Sequence, residues 1–512
     1  MERLSLLDQV FHKIGGKGIP ALNMQGGMII NPANCEFKID AQVLVDHLAS
    51  RMSKLDIMRK KLVQDPLKLG DVKLIDDPEF DVYKHISVVT LPKPGNYEQL
   101  SHAIGEFSAK SLDADLPPWE FCVFDGIEDG SYAVFQKLSH ATMDGMTAMK
   151  VIQSIFDLEP TAPETFEPVT FKTKPAPTKL ALLGEAYNET VNRSLVYMPR
   201  AMIQISRMAA GASKDALKKR FDALVNSQVE EAESIKVDTA PKHECKAPRT
   251  SLNRAISMDK RLIAFANYDL KLLKALSKKL DCTLNELCLL MISDSLNTYF
   301  KGVNEEIDGN FVIGVPMNTR DETTPDRGNK LSVSLINTYS ANENLLERLA
   351  GIKEQTQAAK QVRSGKGKTK IVGNFDNIIA TISPIVLDGL VMLLDKVKPW
   401  SKLPMIGNTG LSNVPGPRSE VYFSGMPVKC SIPMVPIAPN FGVNFGVTSI
   451  GNVFSFGIHG CGQLINESDM HLFVDGLNKA YLDLKFILKN PTKSPSSRRT
   501  KKVDALISSS YS

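Results

Sequence analysis

The stretch SYAVFQKLSHATMDGMTAMKVIQSIFD, residues 131–157, predicts a strand that runs through a short turn into a helix. Alternating apolar residues favour a strand over 131–138, and apolar residues at helical spacing follow Gly145. His140 stands at the mouth of the turn. A histidine held there by the backbone still faces a cleft, and its ordinary pKa of about 6.5 leaves it mostly neutral at pH 7. That arrangement suits a general base.

Asp144 and Gly145 end the same turn. Glycine permits a tight turn after the acidic residue. Two structural roles are open to Asp144, which is stabilised either by unpaired amides at the helix start or by a distant arginine that fixes the loop. We interpret both residues as support for the histidine. Because an HxxxDG spacing is a weak signal by itself, the functional interpretation depends on the surrounding sequence.

The composition is that of a globular protein with two core-forming units. The chain has 512 residues, of which 43% are hydrophobic and 23% charged, and this length exceeds what one core usually supports. Its 61 basic and 57 acidic residues leave a formal net charge of +4. This near balance gives no support to a nucleic-acid partner.

Strand and helix patterns alternate in two regions, which indicates the α/β class. Residues 1–157 form the first predicted unit, and residues 251–488 form the second. Between them, residues 158–250 contain a Pro-rich linker and amphipathic helices. Residues 489–512 are predicted to be a disordered basic tail.

The seven cysteines are an odd number, and none belongs to a CxxC pair or to a Cys/His cluster at metal-ligand spacing. We therefore predict free thiols in a reducing compartment, no metal and no cofactor. The N-terminus lacks the apolar core of a signal peptide. The longest apolar runs fall short of the roughly 20 residues that span a bilayer. Together these features predict a soluble or peripheral protein.

Several further motifs accompany the histidine. The first half contains LSLLDQVF (4–11), PPWE (117–120) and SHATMDG (139–145). The second half contains PRTSLN (248–253), LNE (284–286), GVPMNTR (314–320) with GN (328–329), and SNVPGP (412–417). In this order they resemble the motifs of the bacterial wax ester synthase/diacylglycerol acyltransferase family, within the coenzyme A-dependent acyltransferase superfamily. The resemblance extends from about residue 3 to residue 488.

The resemblance implies two acyltransferase-like subdomains, each a mixed β-sheet flanked by helices, with an active-site tunnel between them. It implies transfer of a fatty acyl group from acyl-CoA to diacylglycerol, a long-chain fatty alcohol or both, with His140 as general base. The products would be triacylglycerol or wax ester. Two alternatives stay open: another alcohol or amine acceptor, and a low-activity paralogue that binds acyl-CoA or lipid.

The resemblance also suggests residues around the base. Asn285, Thr448 and Ser449 are candidates to stabilise an oxyanion, although Asn285 has the alternative of only capping a helix or tying the two halves together. A second set, assigned to a substrate-binding loop, is Ser139, Asn413, Pro415 and Gly416. For the loop after Asn413 the alternative is a rigid turn fixed by Pro-Gly-Pro.

Ser139 departs from the family pattern HHxxxDG at its first position. Because neighbouring residues on a strand point to opposite faces, the substitution is predicted to leave the base intact. Serine does not titrate near neutral pH, so we predict reduced or altered activity and not an inactive enzyme.

An enzyme with water-insoluble substrates needs contact with a lipid surface. The amphipathic segments between the halves and the apolar stretch 378–395 offer such a contact, with burial in an interdomain core as the alternative. We predict a cytoplasmic protein that associates peripherally with the inner membrane or with lipid inclusions.

Overall fold

The computed structural model describes residues 2–4, 8–9, 12, 23–143, 145–168, 171, 175–192, 236–238, 247–257, 259–318, 331–364, 405 and 407–489. Its strands are β1 (Glu2–Arg3), β2 (Asn23–Ile30), β3 (Lys60–Val63), β4 (Lys73–Asp76), β5 (Ile86–Thr90), β6 (Trp119–Asp125), β7 (Tyr132–Ser139), β8 (Lys236–Asp238), β9 (Arg261–Asp269), β10 (Val312–Asn318), β11 (Leu331–Asn337), β12 (Thr409–Asn413), β13 (Tyr422–Phe423), β14 (Met426–Met434), β15 (Val443–Ile450) and β16 (Val453–Cys461). Its helices are α1 (Ala41–Ser53), α2 (Tyr97–Ala109), α3 (Gly145–Ser154), α4 (Lys179–Asn192), α5 (Leu270–Lys279), α6 (Leu284–Gly302), α7 (Leu345–Ser364) and α8 (Met470–Lys489).

Side-chain caps set the start of several helices. Asp40 caps α1 by accepting a hydrogen bond from the Val43 amide. Asn96 caps α2, where Gln99 completes a capping box. Each cap provides an acceptor for amides that have no partner within the first turn. Apolar residues at helical spacing predict a helix over 41–55 and another after the Pro94-Gly95 turn, and the structure confirms both as α1 and α2.

Two mixed sheets form the body of the protein. One has six strands in the order β13-β14-β2-β7-β6-β5, and the other has seven in the order β8-β11-β10-β12-β15-β16-β9. A small three-stranded sheet, β1-β4-β3, stands apart from both. Helices cover the sheets, since α1 packs against β5 and β6 while α2 packs against β9, and α6 packs against α7 and α8. The architecture confirms the predicted α/β class with two sheet-and-helix subdomains.

The six-stranded sheet includes a segment from the second half of the chain. Strand β14 pairs antiparallel with β2, and the short β13 pairs with β14. The prediction that residues 251–488 all belong to the second unit is therefore wrong for residues 422–434. An alternating pattern identifies a strand but does not identify the sheet edge that the strand completes. The remaining predicted boundaries stay predictions.

Strand β14 passes very close to the backbones of β15 and β16. Gly446 on β15 lies opposite Gly457 on β16, and the carbonyl oxygen of Pro433 on β14 lies against both. A methyl group at Gly446 would lie 2.7 Å from that oxygen, and one at Gly457 would overlap it. Glycine is required at these positions because no side chain fits between the crossing strands.

Membrane-spanning helices are absent from the part of the chain that the structure describes, where no helix is both long enough and apolar enough to cross a bilayer. The apolar stretch 378–395 and the basic tail from residue 490 lie outside the described residues.

A buried histidine makes stability depend on pH. His47 on α1 is fully buried, and its Nδ1 accepts a hydrogen bond from the Glu164 amide at 3.0 Å. Burial, together with the charge of Arg51, lowers the pKa of His47 to about 4. The unfolded chain therefore binds a proton at higher pH than the folded chain does, and this histidine contributes stability that is present above pH 6.5 and lost as the pH falls towards 4.

We predict that the free energy of unfolding falls between pH 6.5 and pH 4, with His47 contributing on the order of 3 kcal/mol of the loss. Urea unfolding at a series of pH values would measure the slope. His47→Gln, which keeps an acceptor for the Glu164 amide, should reduce the slope. The control substitution His471→Gln, on the exposed surface, should leave the slope of the parent unchanged. Equal slopes for His47→Gln and the parent would contradict the assignment.

Candidate active site

The turn that carries His140 is fixed by buried neighbours. Strand β7 ends at Ser139 and α3 begins at Gly145. Leu138, Ala141 and Met143 are each no more than 3% exposed, whereas His140 is half-buried. Alternation of buried and half-buried residues fastens the turn to the core and leaves the imidazole partly accessible. His140 therefore lies at the mouth of the strand-to-helix turn, as the sequence predicted, and its role as general base stays a prediction.

The PPWE motif, at the start of β6, contacts and supports the same turn. Trp119 lies opposite Leu138 in the sheet, and the amide of Ser139 donates to the carbonyl oxygen of Pro118 at 3.0 Å. Trp119 is fully buried. Its indole N–H donates to the carbonyl oxygen of Met58 at 2.7 Å, and its ring stacks on His85 with centroids 4.2 Å apart. The motif therefore supports the end of the strand that presents the histidine.

The structure describes only one of the two residues predicted to support His140. Gly145 is the first residue of α3, as a turn-ending glycine should be. Asp144 lies outside the described residues, so its role stays a prediction.

The structure brings together the candidates Asn413, Pro415 and Gly416 with Thr448 and Ser449. Strands β12 and β15 run parallel, and the amide of Val414 donates to the carbonyl oxygen of Val447 at 3.0 Å. A methyl group at Gly416 would overlap the Ser449 carbonyl oxygen and lie 3.0 Å from Thr448 Oγ1. The SNVPGP loop therefore rests directly on the Thr448-Ser449 pair. Thr448 and Ser449 are half-buried, while Asn413 and Pro415 are exposed.

Asn285 is separate from that group and does not cap its helix. Thr283 is the N-cap of α6, and Glu286 completes a capping box with it. Asn285 is half-buried within the first turn, and its Oδ1 is buried without a hydrogen-bond partner among the described residues. An unpaired buried polar atom is unusual in a folded protein, and the role of Asn285 at an oxyanion stays a prediction.

Comparison with known proteins identifies the family. Residues 4–288 match the wax ester synthase/diacylglycerol acyltransferase catalytic domain, and residues 327–485 match the WS/DGAT C-terminal domain. The chain belongs to this family. Family membership makes it an acyltransferase.

Curated relatives and a solved structure agree with that assignment. The probable diacylglycerol O-acyltransferase tgs1 of Mycobacterium tuberculosis is 27% identical over 427 residues, which cover 82% of this chain and 83% of its own. A second protein of that bacterium, provisionally named a diacylglycerol O-acyltransferase, is 27% identical over 400 residues, 75% of this chain and 78% of its own. The wax ester synthase/diacylglycerol acyltransferase of Marinobacter aquaeolei VT8 has the same fold, with a TM-score of 0.64, 20% identity, and coverage of 95% of this chain and 100% of that one.

The PRTSLN motif of this acyltransferase organises the second subdomain. Nδ2 of Asn253 donates to the carbonyl oxygens of Asn408 and Asn440 at 3.0 and 2.7 Å. Asn408 in turn donates to the carbonyl oxygen of Pro248 and accepts from the amide of Val312. These buried hydrogen bonds fasten the start of the subdomain to β10 and to the segment before β12. The motif is recognisable in the sequence, but its partners are far away in the chain and give no local signal.

A small cavity lies where the two halves meet, and none of its lining residues was singled out from the sequence. Its lining includes Asn23, Gln25, Ser108, Arg261 and His459, and Asn23 pairs with Ser139 across the sheet. Nδ1 of His459 donates to the carbonyl oxygen of Val435 at 2.9 Å. Its Nε2 is buried without a hydrogen-bond partner among the described residues, and burial lowers the pKa of His459 to about 3. A neutral imidazole thus lines the same cavity as Asn23, the sheet neighbour of Ser139.

Cysteine chemistry receives no support from the structure. Cys122 is fully buried, and burial raises the pKa of its thiol to about 11. Because the thiolate is the nucleophilic form, Cys122 is unreactive at neutral pH. Cys461 is also fully buried. Across the described ranges, no group of three or more metal-binding side chains comes together.

Proposed function

We propose that this acyltransferase moves a fatty acyl group from acyl-CoA to the hydroxyl of diacylglycerol, of a long-chain alcohol or of both, and that His140 is the general base. The observation that carries the proposal is a half-buried imidazole on a turn whose neighbours are buried and braced. Family membership supports the reaction class. The products are triacylglycerol and wax ester, and acyl-CoA serves as substrate with no cofactor.

In the proposed reaction the imidazole accepts the proton of the acceptor hydroxyl. The oxygen then bonds to the thioester carbonyl carbon, the carbon–sulfur bond breaks, and the departing thiolate takes up the proton. A base positioned in this way contributes roughly two to four orders of magnitude. Binding both substrates in the correct orientation contributes more.

The oxyanion that forms on the thioester carbonyl needs hydrogen-bond donors. We assign this role to the amide nitrogen of Asn285 or to the hydroxyls of Thr448 and Ser449. Asn285 is a candidate because it lies half-buried in the first turn of α6 and its Nδ2 is a hydrogen-bond donor. The tight contact of the SNVPGP loop with Thr448 and Ser449 also supports a rigid wall there.

Exposed apolar residues support peripheral association with the inner membrane or with lipid inclusions on the cytoplasmic side. On α4, Leu182 and Ala186 are buried, whereas Leu180 and Tyr187 are 78% and 66% exposed. The two exposed residues are seven positions apart and so share one helix face. A helix face of this kind inserts into the boundary of a lipid surface.

We predict that the purified full chain forms ester from radiolabelled palmitoyl-CoA with hexadecanol, with dioleoylglycerol or with both in mixed micelles. Thin-layer chromatography separates wax ester from triacylglycerol, and a thiol reagent measures the release of coenzyme A. Coenzyme A release without ester from either lipid would point to another alcohol or amine acceptor. Binding of palmitoyl-CoA with no release at all would make the chain a lipid-binding paralogue and overturn the proposal.

A further inference from the structure

The side chain of Ser139 closes the turn that carries His140. Its Oγ accepts a hydrogen bond from the amide of Ala141 at 3.2 Å. Its carbonyl oxygen accepts from the amides of Thr142 and Met143, both at 3.2 Å, and from the hydroxyl of Thr142 at 3.3 Å. We propose that Ser139 is a positioning residue, whose hydroxyl fixes the orientation of the His140 backbone and hence of the imidazole.

The hydrogen bond has a buried donor and so is costly to remove. Ala141 is 3% exposed, and the Ser139 hydroxyl is the partner that the structure gives its amide. Serine hydroxyls commonly bond an amide two residues further along the chain and stabilise a turn. An amide left without a partner in the interior destabilises the conformation that leaves it so. Without the hydroxyl, the turn would rearrange to reach another acceptor.

Two kinds of contact hold the turn around His140. Leu138 before it and Met143 after it belong to one core cluster, which also includes Val151 of the following helix. Ser139 is held by the hydrogen bond from its amide to the carbonyl oxygen of Pro118 and by its own hydroxyl. The buried side chains fix where the turn sits, and the hydroxyl fixes the backbone direction within it. A misplacement of about 1 Å costs on the order of a hundredfold in rate, so a small rearrangement affects catalysis more than stability.

This inference rests on the proposed role of His140, and it explains how the chain functions with serine at the first position of the motif. The hydroxyl needs no charge to close the turn, so the position does not require a titrating group. A side chain that keeps the hydroxyl should preserve catalysis, and one that lacks it should not.

The test compares Ser139→Ala, Ser139→Thr and the parent in steady-state assays with palmitoyl-CoA and the preferred acceptor. We expect Ser139→Ala to lower kcat about tenfold with the KM for palmitoyl-CoA within twofold, and Ser139→Thr to return kcat to within threefold of the parent. Ser154→Ala is the matched control, because the bond that the structure gives this hydroxyl is also to the backbone, donating to the carbonyl oxygen of Val151 at 2.6 Å. It should keep the parent kcat.

Thermal unfolding of each variant shows whether a loss of kcat comes from a misplaced imidazole or from a less stable fold. A parental kcat for Ser139→Ala, or equal losses for the alanine and threonine variants, would overturn the inference. A loss of kcat that disappears on cooling well below the unfolding midpoint would also overturn it, because Ser139 would then be structural only. Failure of the proposed function has a different signature: His140→Ala would turn over as fast as the parent.

Discussion

His140→Ala is expected to lower kcat for ester formation by roughly two to four orders of magnitude, the usual contribution of general acid–base catalysis. The imidazole acts on a proton that moves in the transition state, so the KM for palmitoyl-CoA should change little. The side chain is half-buried, whereas Leu138 and Met143 on either side carry the packing. The fold should therefore survive, and circular dichroism would verify this.

His102→Ala provides the matched histidine control. His102 lies on α2 with its side chain 50% exposed, and its Nδ1 is 2.7 Å from a carboxylate oxygen of Glu467. Removing this surface contact should leave kcat at the parent value, because an exposed pair contributes little. Equal ester formation by the parent and His140→Ala would exclude His140 as the base.

Gly457→Ala is expected to lower the free energy of unfolding by about 3 kcal/mol, at the upper end of the usual cost of overpacking. The added methyl group would overlap the carbonyl oxygen of Pro433 on the crossing strand β14. A backbone oxygen cannot rotate away as a side chain can, so β14 or β16 must shift. Urea unfolding followed by circular dichroism would measure the loss.

Gly184→Ala serves as the glycine control. Gly184 lies within α4, and no atom lies within 4 Å of the position that its Cβ would occupy. Alanine is favoured over glycine inside a helix by up to about 1 kcal/mol, so stability should stay equal or rise slightly. A Gly457→Ala protein as stable as the parent would show that β14 does not approach β16 as closely as described.

Local sequence patterns predicted the central elements well. The strand expected over 131–138 is observed as Tyr132–Ser139, and the helix expected after Gly145 begins at that residue. Apolar residues at helical spacing predict a helix from Ser468 to Leu488, and the structure has one at Met470–Lys489 after one short helical turn. Such patterns are reliable because burial of one face and capping are determined by residues close together in the chain.

The candidate site was predicted in part. The position of His140 followed from the strand-to-helix pattern, and the link between the SNVPGP loop and Thr448-Ser449 is a tertiary contact that only the structure showed. The sequence left two roles open for Asn285 besides a contact between the halves: stabilising the oxyanion, or capping a helix. The capping box shows that Thr283 caps α6 instead. The capping alternative was wrong because two polar residues near the helix start, Thr283 and Asn285, both fit the pattern of an N-cap, and only the geometry distinguishes them.

The sequence by itself determined the α/β class, the order of motifs and the residue that stands at the strand-to-helix turn, since each depends on neighbours or on short strings of residues. Only the tertiary structure decided that 422–434 complete the first sheet, that Pro118 braces Ser139, and that Asn253 ties together segments about 150 residues apart. The physical reason is that periodicity reports which face of an element is buried, while its partner is chosen by backbone hydrogen bonding and close packing across the whole fold.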